Sequence, residues 1–183
     1  MKLMKKLGII HCDMKPENLL LIQANRSGIK IIDLGSACYQ DERIYTYIQS
    51  RFYRAPEIIL GIPYTVAIDM WSFGCIIAEL YKGYPLFPGE SESEQIQAIA
   101  EVLDLPPEHL LNESPRSKLF FHSNNDIKVT ANSRGRVRHP GTRALHDTLH
   151  CKDVNFLDFI SRCLDWDPKT RMTPEDAFNH EWI

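Results

Sequence analysis

No apolar run in the 183 residues is long enough to cross a bilayer. The basic start, Met1-Lys2-Leu3-Met4-Lys5-Lys6, is followed by an apolar stretch of only Leu7 to Ile10. His11 and Asp13 end that stretch, so it is too short for a secretion signal. Net charge is -3, which leaves no bulk attraction to nucleic acid or to an anionic membrane. The five cysteines form no CxxC pair and show no zinc-ligand spacing with the seven histidines. They read as reduced thiols, and the chain is expected to be intracellular, cytoplasmic or nuclear. Internal repeats and low-complexity tracts are missing too. So is any Gly-x-Gly-x-x-Gly loop that could cradle a nucleotide's phosphates.

What is present suits one globular domain with a sizeable core: 44% apolar and 25% charged residues. Residues 2–7 read as the end of a helix stopped by Gly8. The apolar runs 19–22 and 29–32, separated by Asn25-Arg26-Ser27-Gly28, predict a strand–turn–strand hairpin. Residues 33–57 read as a long irregular loop, a kind that is usually functional or disordered. Residues 67–82 are apolar on every face and predict a core helix, ended by Gly83 and kept from continuing by Pro85 and Pro88. Helical spacing also marks 92–103 and 154–165. Thr173 and Pro174 read as the N-cap and first residue of a last helix. Residues 112–150 lack periodicity and read as a surface insert. Its basic patch, Arg134, Arg136, Arg138, His139 and Arg143, is expected to be a solvated loop rather than a docking site.

The segment with the most chemistry is His11-Cys12-Asp13-Met14-Lys15-Pro16-Glu17-Asn18. It places a carboxylate, an ammonium and a carboxamide within six residues, just before the first strand of the hairpin. The second strand leads into Asp33, and Gly35 is expected to let the chain turn there. The hairpin returns Asp33 to the side of Asn18. Carboxamide and carboxylate oxygens suit a hard cation such as Mg²⁺, completed by phosphate oxygens and water. Asp13 is then free to orient and deprotonate a hydroxyl, with Lys15 balancing charge on a transferred phosphoryl group.

These motifs resemble those of the protein kinases: the catalytic loop His-x-Asp-x-Lys-x-x-Asn, then Asp33-Leu34-Gly35 for the metal-binding Asp-Phe-Gly, then Ala55-Pro56-Glu57 for Ala-Pro-Glu. The resemblance implies a mainly α fold, the kinase C-terminal lobe, with a short β-hairpin around the catalytic loop. It implies ATP and Mg²⁺ as cofactors, Asp13 and Lys15 as catalytic residues, and Asn18 and Asp33 as metal and cofactor ligands. It also implies that Asp69, a carboxylate in an apolar helix, accepts hydrogen bonds from the catalytic-loop backbone. Arg171 is expected to pair with Glu57. Leu34, in place of the usual Phe, is apolar and can fill the same pocket.

Tyr45-Thr46-Tyr47 before Gln49-Ser50-Arg51-Phe52-Tyr53-Arg54 looks like the activation loop of the dual-specificity tyrosine-phosphorylation-regulated (DYRK) kinases of the CMGC group. So does Cys12, where most kinases have Arg. The related homeodomain-interacting kinases usually lack that cysteine. The resemblance implies autophosphorylation of Tyr47, transfer to Ser/Thr of protein substrates, and a clamp of Arg51 and Arg54 on the Tyr47 phosphate. Cys12 and Cys38 both flank the metal site, and a regulatory disulfide between them is one possibility beside free thiols.

A working kinase also needs a glycine-rich lid and a strand lysine paired with a helix glutamate. Neither motif precedes His11. All of residues 1–183 are therefore expected to form a partial kinase domain, the C-lobe, with activation segment 33–57, and the missing N-lobe is an expected partner. The alternative is a complete, non-catalytic lobe acting as a protein-binding module. No nucleic-acid or membrane partner is expected.

Overall fold

The computed structural model describes residues 1–43 and 45–183. Nine helices, α1 Lys2–Lys6, α2 Pro56–Leu60, α3 Ala67–Lys82, α4 Glu92–Leu103, α5 Glu108–Glu113, α6 Ser117–Phe120, α7 Leu145–Leu149, α8 Val154–Cys163 and α9 Pro174–Phe178, dominate the described residues. Four short strands, β1 Ile9–Ile10, β2 Leu19–Leu21, β3 Ile29–Ile31 and β4 Cys38–Tyr39, make two antiparallel pairs, β1 with β4 and β2 with β3. Among the described residues, no helix is long and apolar enough to cross a membrane.

Local chemistry sets the helix boundaries. Gly8 at φ 65° and Gly83 at φ 89° take the left-handed conformation that ends α1 and α3. The Ser91 side chain caps α4 by accepting from the Glu94 N–H at 3.1 Å. Asp153 caps α8, and Thr173 with Asp176 forms a reciprocal capping box at α9. Helix α8 stops at Cys163, two residues short of the expected end, with Leu164 as its C-cap.

Helix α3 is the central pillar. Ile68, Trp71, Cys75, Ile76 and Ala78 are essentially inaccessible. The expectation of burial on every face fails at its last turn, where Leu80 and Tyr81 are exposed because the helix runs past the core. Gly74 lets α8 approach closely: a Cβ there would lie 2.6 Å from Cys163 Cβ. Across the molecule, Arg171 and Glu57 form a doubly bonded ion pair at 2.7 and 2.9 Å, fully buried.

Two stretches differ from the loops expected of them. Residues 33–57 contain β4, a single helical turn at Arg51–Tyr53 and the start of α2. Two-residue strands carry too little periodicity to be read from sequence. The 112–150 stretch holds α6, α7 and the end of α5, and it buries Phe120, Phe121 and Ile127. Its basic patch is not a simple solvated surface either, because Arg138 is only 6% exposed, held by Glu94 and Glu101. Its partners sit on α4, about 40 residues earlier, where spacing rules do not reach.

Candidate active site

The loop between β1 and β2 is held from below by α3. Asp69 accepts from the His11 N–H at 2.7 Å and the Cys12 N–H at 3.1 Å. Burial pushes the Asp69 carboxyl above its ordinary range, opposed by those two N–H donors. The buried His11 ring contacts the Ile32 carbonyl at 3.0 Å, linking the loop to the end of β3. The Ile32 N–H donates to the Asn18 carbonyl at 2.9 Å, which sets Asp33 beside Asn18 as the hairpin reading expects.

Asp13 lies in a cleft of about 440 Å³ shared with Gly35, Ser36, Tyr47 and Ser50. Its Oδ2 accepts from Lys15 Nζ at 2.7 Å, and its Oδ1 from Ser50 Oγ at 2.8 Å and Ser50 N at 3.2 Å. Burial opposes its ionisation, but Lys15 and Ser50 outweigh burial and hold the carboxyl below its usual value. Asp13 in turn raises Lys15, which stays an ammonium. Ser50 has no separable signal in the sequence: its partners stand 35 and 37 residues away.

The Asn18 amide nitrogen donates to the Asp13 carbonyl at 2.8 Å, leaving its carboxamide oxygen without a protein donor among the described residues. Among the described residues, Asp33 accepts only from the Gly35 N–H, at 3.2 Å and through one oxygen. Unspent, hard oxygen atoms on a buried carboxamide and an exposed carboxylate fit a Mg²⁺ ion. The sharp turn belongs to Asp33 itself, at φ 62°, and not to Gly35. Gly35 instead gives room, since a Cβ there would sit 3.1 Å from the Asp33 carboxylate. Cys12 (φ 66°) and Gln49 (φ 65°) are also left-handed, and the Gln49 N–H donates to the Cys12 carbonyl at 3.0 Å. Three such residues around one cleft store backbone strain where chemistry needs fixed geometry.

The tyrosine and arginines of the expected clamp are only partly gathered. Arg54 lies over the Tyr47 ring at 4.1 Å and holds the exposed phenol below its ordinary range. Arg54 also faces Glu92 at 3.5 Å. Arg51 points elsewhere, donating to the Glu90 carbonyl at 2.8 Å. The five cysteines are free; Cys12 and Cys38 face each other at 3.8 Å between sulfurs, far beyond a bond of about 2.05 Å.

A loop braced by a buried carboxylate, a carboxylate–ammonium pair and two oxygen atoms free to bind a cation thus meet at one site. The chain belongs to the protein kinase family: residues 1–183 match the family described as "Protein kinase domain". Its similar relatives place it with the DYRK kinases of the CMGC group. It is 57% identical, over 100% of this chain and 25% of the relative, to dual specificity tyrosine-phosphorylation-regulated kinase 2 of Drosophila melanogaster. It is 55% identical, over 96% of this chain and 34% of the relative, to kinase 4 of that name in Homo sapiens. To the DYRK-family kinase pom1 of Schizosaccharomyces pombe it is 51% identical, over 99% of this chain and 17% of the relative. The chain thus spans about a third or less of the length of these relatives.

Proposed function

We propose that this chain is the larger lobe of a protein Ser/Thr kinase that transfers the terminal phosphoryl group of ATP to a protein hydroxyl. The observation that carries this reading is the Asp13 carboxylate, fixed by Lys15 and Ser50 and open to the cleft. A carboxylate held below its usual range is a weak base. Its first task is therefore to hold and orient the substrate hydroxyl, and it accepts the proton as the oxygen becomes committed to phosphorus. Lys15 sits 2.7 Å from Asp13 and balances negative charge that grows beside it. Asn18 and Asp33 would hold Mg²⁺, which supplies charge neutralisation to ATP phosphate oxygens when bound.

A neighbouring cleft, lined by Lys15, Ser50, Phe52 and Pro85 with the carboxylates Glu17 and Glu79, would receive the substrate chain. In the same reading Tyr47 is autophosphorylated, and the phosphate recruits Arg54, already 4.1 Å from the ring, and Arg51, whose Nε lacks a partner. The hairpin exposes Leu20, Leu21, Ile22 and Ile29, apolar surface suited to cover by the smaller lobe that completes the nucleotide site. The five free thiols fit an intracellular protein.

The test is Asp13→Asn in the full-length enzyme. Transfer to a protein substrate should fall by about 10³-fold or more, the upper part of the range for a positioned base, with the fold intact by circular dichroism. Retained transfer would remove Asp13 from the reaction.

A further inference from the structure

Cations gather away from the cleft, where the end of α3 meets the stretch leading into α7. Three guanidiniums converge on the buried carboxylate of Glu101: Arg138 at 2.6 Å, Arg136 at 2.8 Å and Arg143 at 4.0 Å. Arg138 also reaches Glu94 at 3.3 Å. Main-chain bonds from Gly141 N–H to the Ala100 carbonyl (2.9 Å) and from Arg143 N–H to the Glu101 carbonyl (3.0 Å) fasten this stretch to the last turn of α4. Helix α7 packs on both α3 and α4, and Lys82, the last residue of α3, lies near enough to Arg143, Arg136 and Arg138 for their charges to act on it.

Lys82 is half-buried and has no carboxylate partner among the described residues; its Nζ lies 4.3 Å over the Tyr84 ring. Burial lowers its pKa, and Arg143, Arg136 and Arg138 add to that effect. Four cations thus share the two carboxylates of Glu94 and Glu101. Counting Asp104, which packs beside Gly141, and Glu90 together with Arg134, whose charge acts on it, five cations face four carboxylates and the cluster remains positive. The donors are not used up either. Arg136 touches Glu101 through Nη2 alone, Arg143 stands off, and their side chains are 45% and 38% exposed.

We propose that Lys82, Arg136 and Arg143 form a docking site for a phosphoserine or phosphothreonine in a protein segment. A phosphate monoester brings about -1.5 to -2 charges and three acceptor oxygens. Guanidinium forks match that geometry, and the buried Glu101 fixes them in place beforehand. A carboxylate ligand would bring less charge and fewer oxygens. Nucleic acid fits less well, because the cations form one compact spot beside Glu90 and Asp104 rather than a stripe. Position identifies the segment. Glu79, one helical turn before Lys82, lines the cleft that also holds Lys15 and Ser50. A chain leaving that cleft along α3 arrives at Lys82. Calling the segment a substrate rests on the kinase reading; the anion site does not, and its test involves no phosphoryl transfer.

The experiment is fluorescence anisotropy on the full chain with a short neutral peptide carrying one phosphoserine, and with its unphosphorylated twin. Inorganic phosphate and a short oligonucleotide serve as competitors. The phosphopeptide should bind about tenfold tighter than its twin. Lys82→Ala and Arg143→Ala should each weaken it by about fivefold, with melting temperatures unchanged. Equal binding of the twin, unaltered affinity in both variants, or tighter binding of inorganic phosphate or the oligonucleotide would overturn the proposal. Independently of any variant, the phosphopeptide should slow acylation of Lys82 by an amine-directed reagent, read by mass spectrometry. Absence of protection at saturating peptide would count equally against it.

Discussion

Asp13 is gripped by donors from two segments, Lys15 from its own loop and Ser50 from 37 residues away. Losing Ser50 removes a hydrogen bond to a charged group, worth about 1.5–3 kcal/mol. Ser50→Ala should therefore slow transfer by the full-length enzyme by about tenfold or more at saturating substrate. A steady-state assay showing unchanged turnover would leave Ser50 with no positioning role. The pH dependence follows from the lowered Asp13 pKa. The folded value lies below the unfolded one, so the stabilisation from ionised Asp13 is fully present above about pH 4 and is lost as pH falls through the folded value. From pH 5 to 8 the rate should show no ascending limb that Asp13→Glu moves. A limb in that window shifting with this substitution would mean a raised carboxyl instead.

At the scale of elements, the site depends on α3 in two ways. Its first turn supplies Asp69, which holds the catalytic-loop backbone, and its middle admits α8 through Gly74. Gly74→Ala adds a methyl where Cys163 Cβ already stands, and neither atom can swing away. Overpacking of this kind costs about 1–3 kcal/mol. Urea denaturation should show a lower midpoint with an unchanged slope, and a wild-type midpoint would mean that α3 and α8 separate freely. The segment from Tyr47 to Arg54 also answers to α4. Arg54 donates through Nε and Nη2 to the Ile48 and Gln49 carbonyls at 2.9 Å, lies over the Tyr47 ring and faces Glu92 through Nη1, and Arg116 holds Glu92 at 2.7 Å. Phosphate on Tyr47 would compete with Glu92 for Arg54, linking the state of the loop to α4.

Across the whole molecule, the Arg171–Glu57 pair spans 114 residues and is shut off from water. Removing one partner strands the other charge, a loss of about 3–5 kcal/mol. Arg171→Met and Glu57→Met should each lower thermal stability sharply, while the double variant should recover part of it. A double variant worse than either single one, by thermal melt, would show that the pair is not the source of the loss. The exposed apolar hairpin belongs to this scale as well. Leu21 and Ile29 share a face of the ladder with Leu19 and Ile31, which pack against the core, but lie beyond its edge, and Leu20 stands on the opposite face.

Much of the site was legible because kinase chemistry is local in sequence. Asp13, Lys15 and Asn18 lie within six residues, and Asp33 follows one hairpin later. The Asp69 brace and the Arg171–Glu57 pair were legible through the resemblance, and a buried charge without a partner was already a physical demand. The chain order could not show Ser50 against Asp13, the turn at Asp33 in place of Gly35, Arg51 directed to the Glu90 carbonyl, or the burial of Arg138. Each is a contact or conformation set by segments tens of residues apart. The sequence by itself determined the groups of the candidate site, the main helices and the family. Tertiary structure alone decided where the cations of the 112–150 stretch would go, because only packing against α4 set Glu94 and Glu101 within their reach.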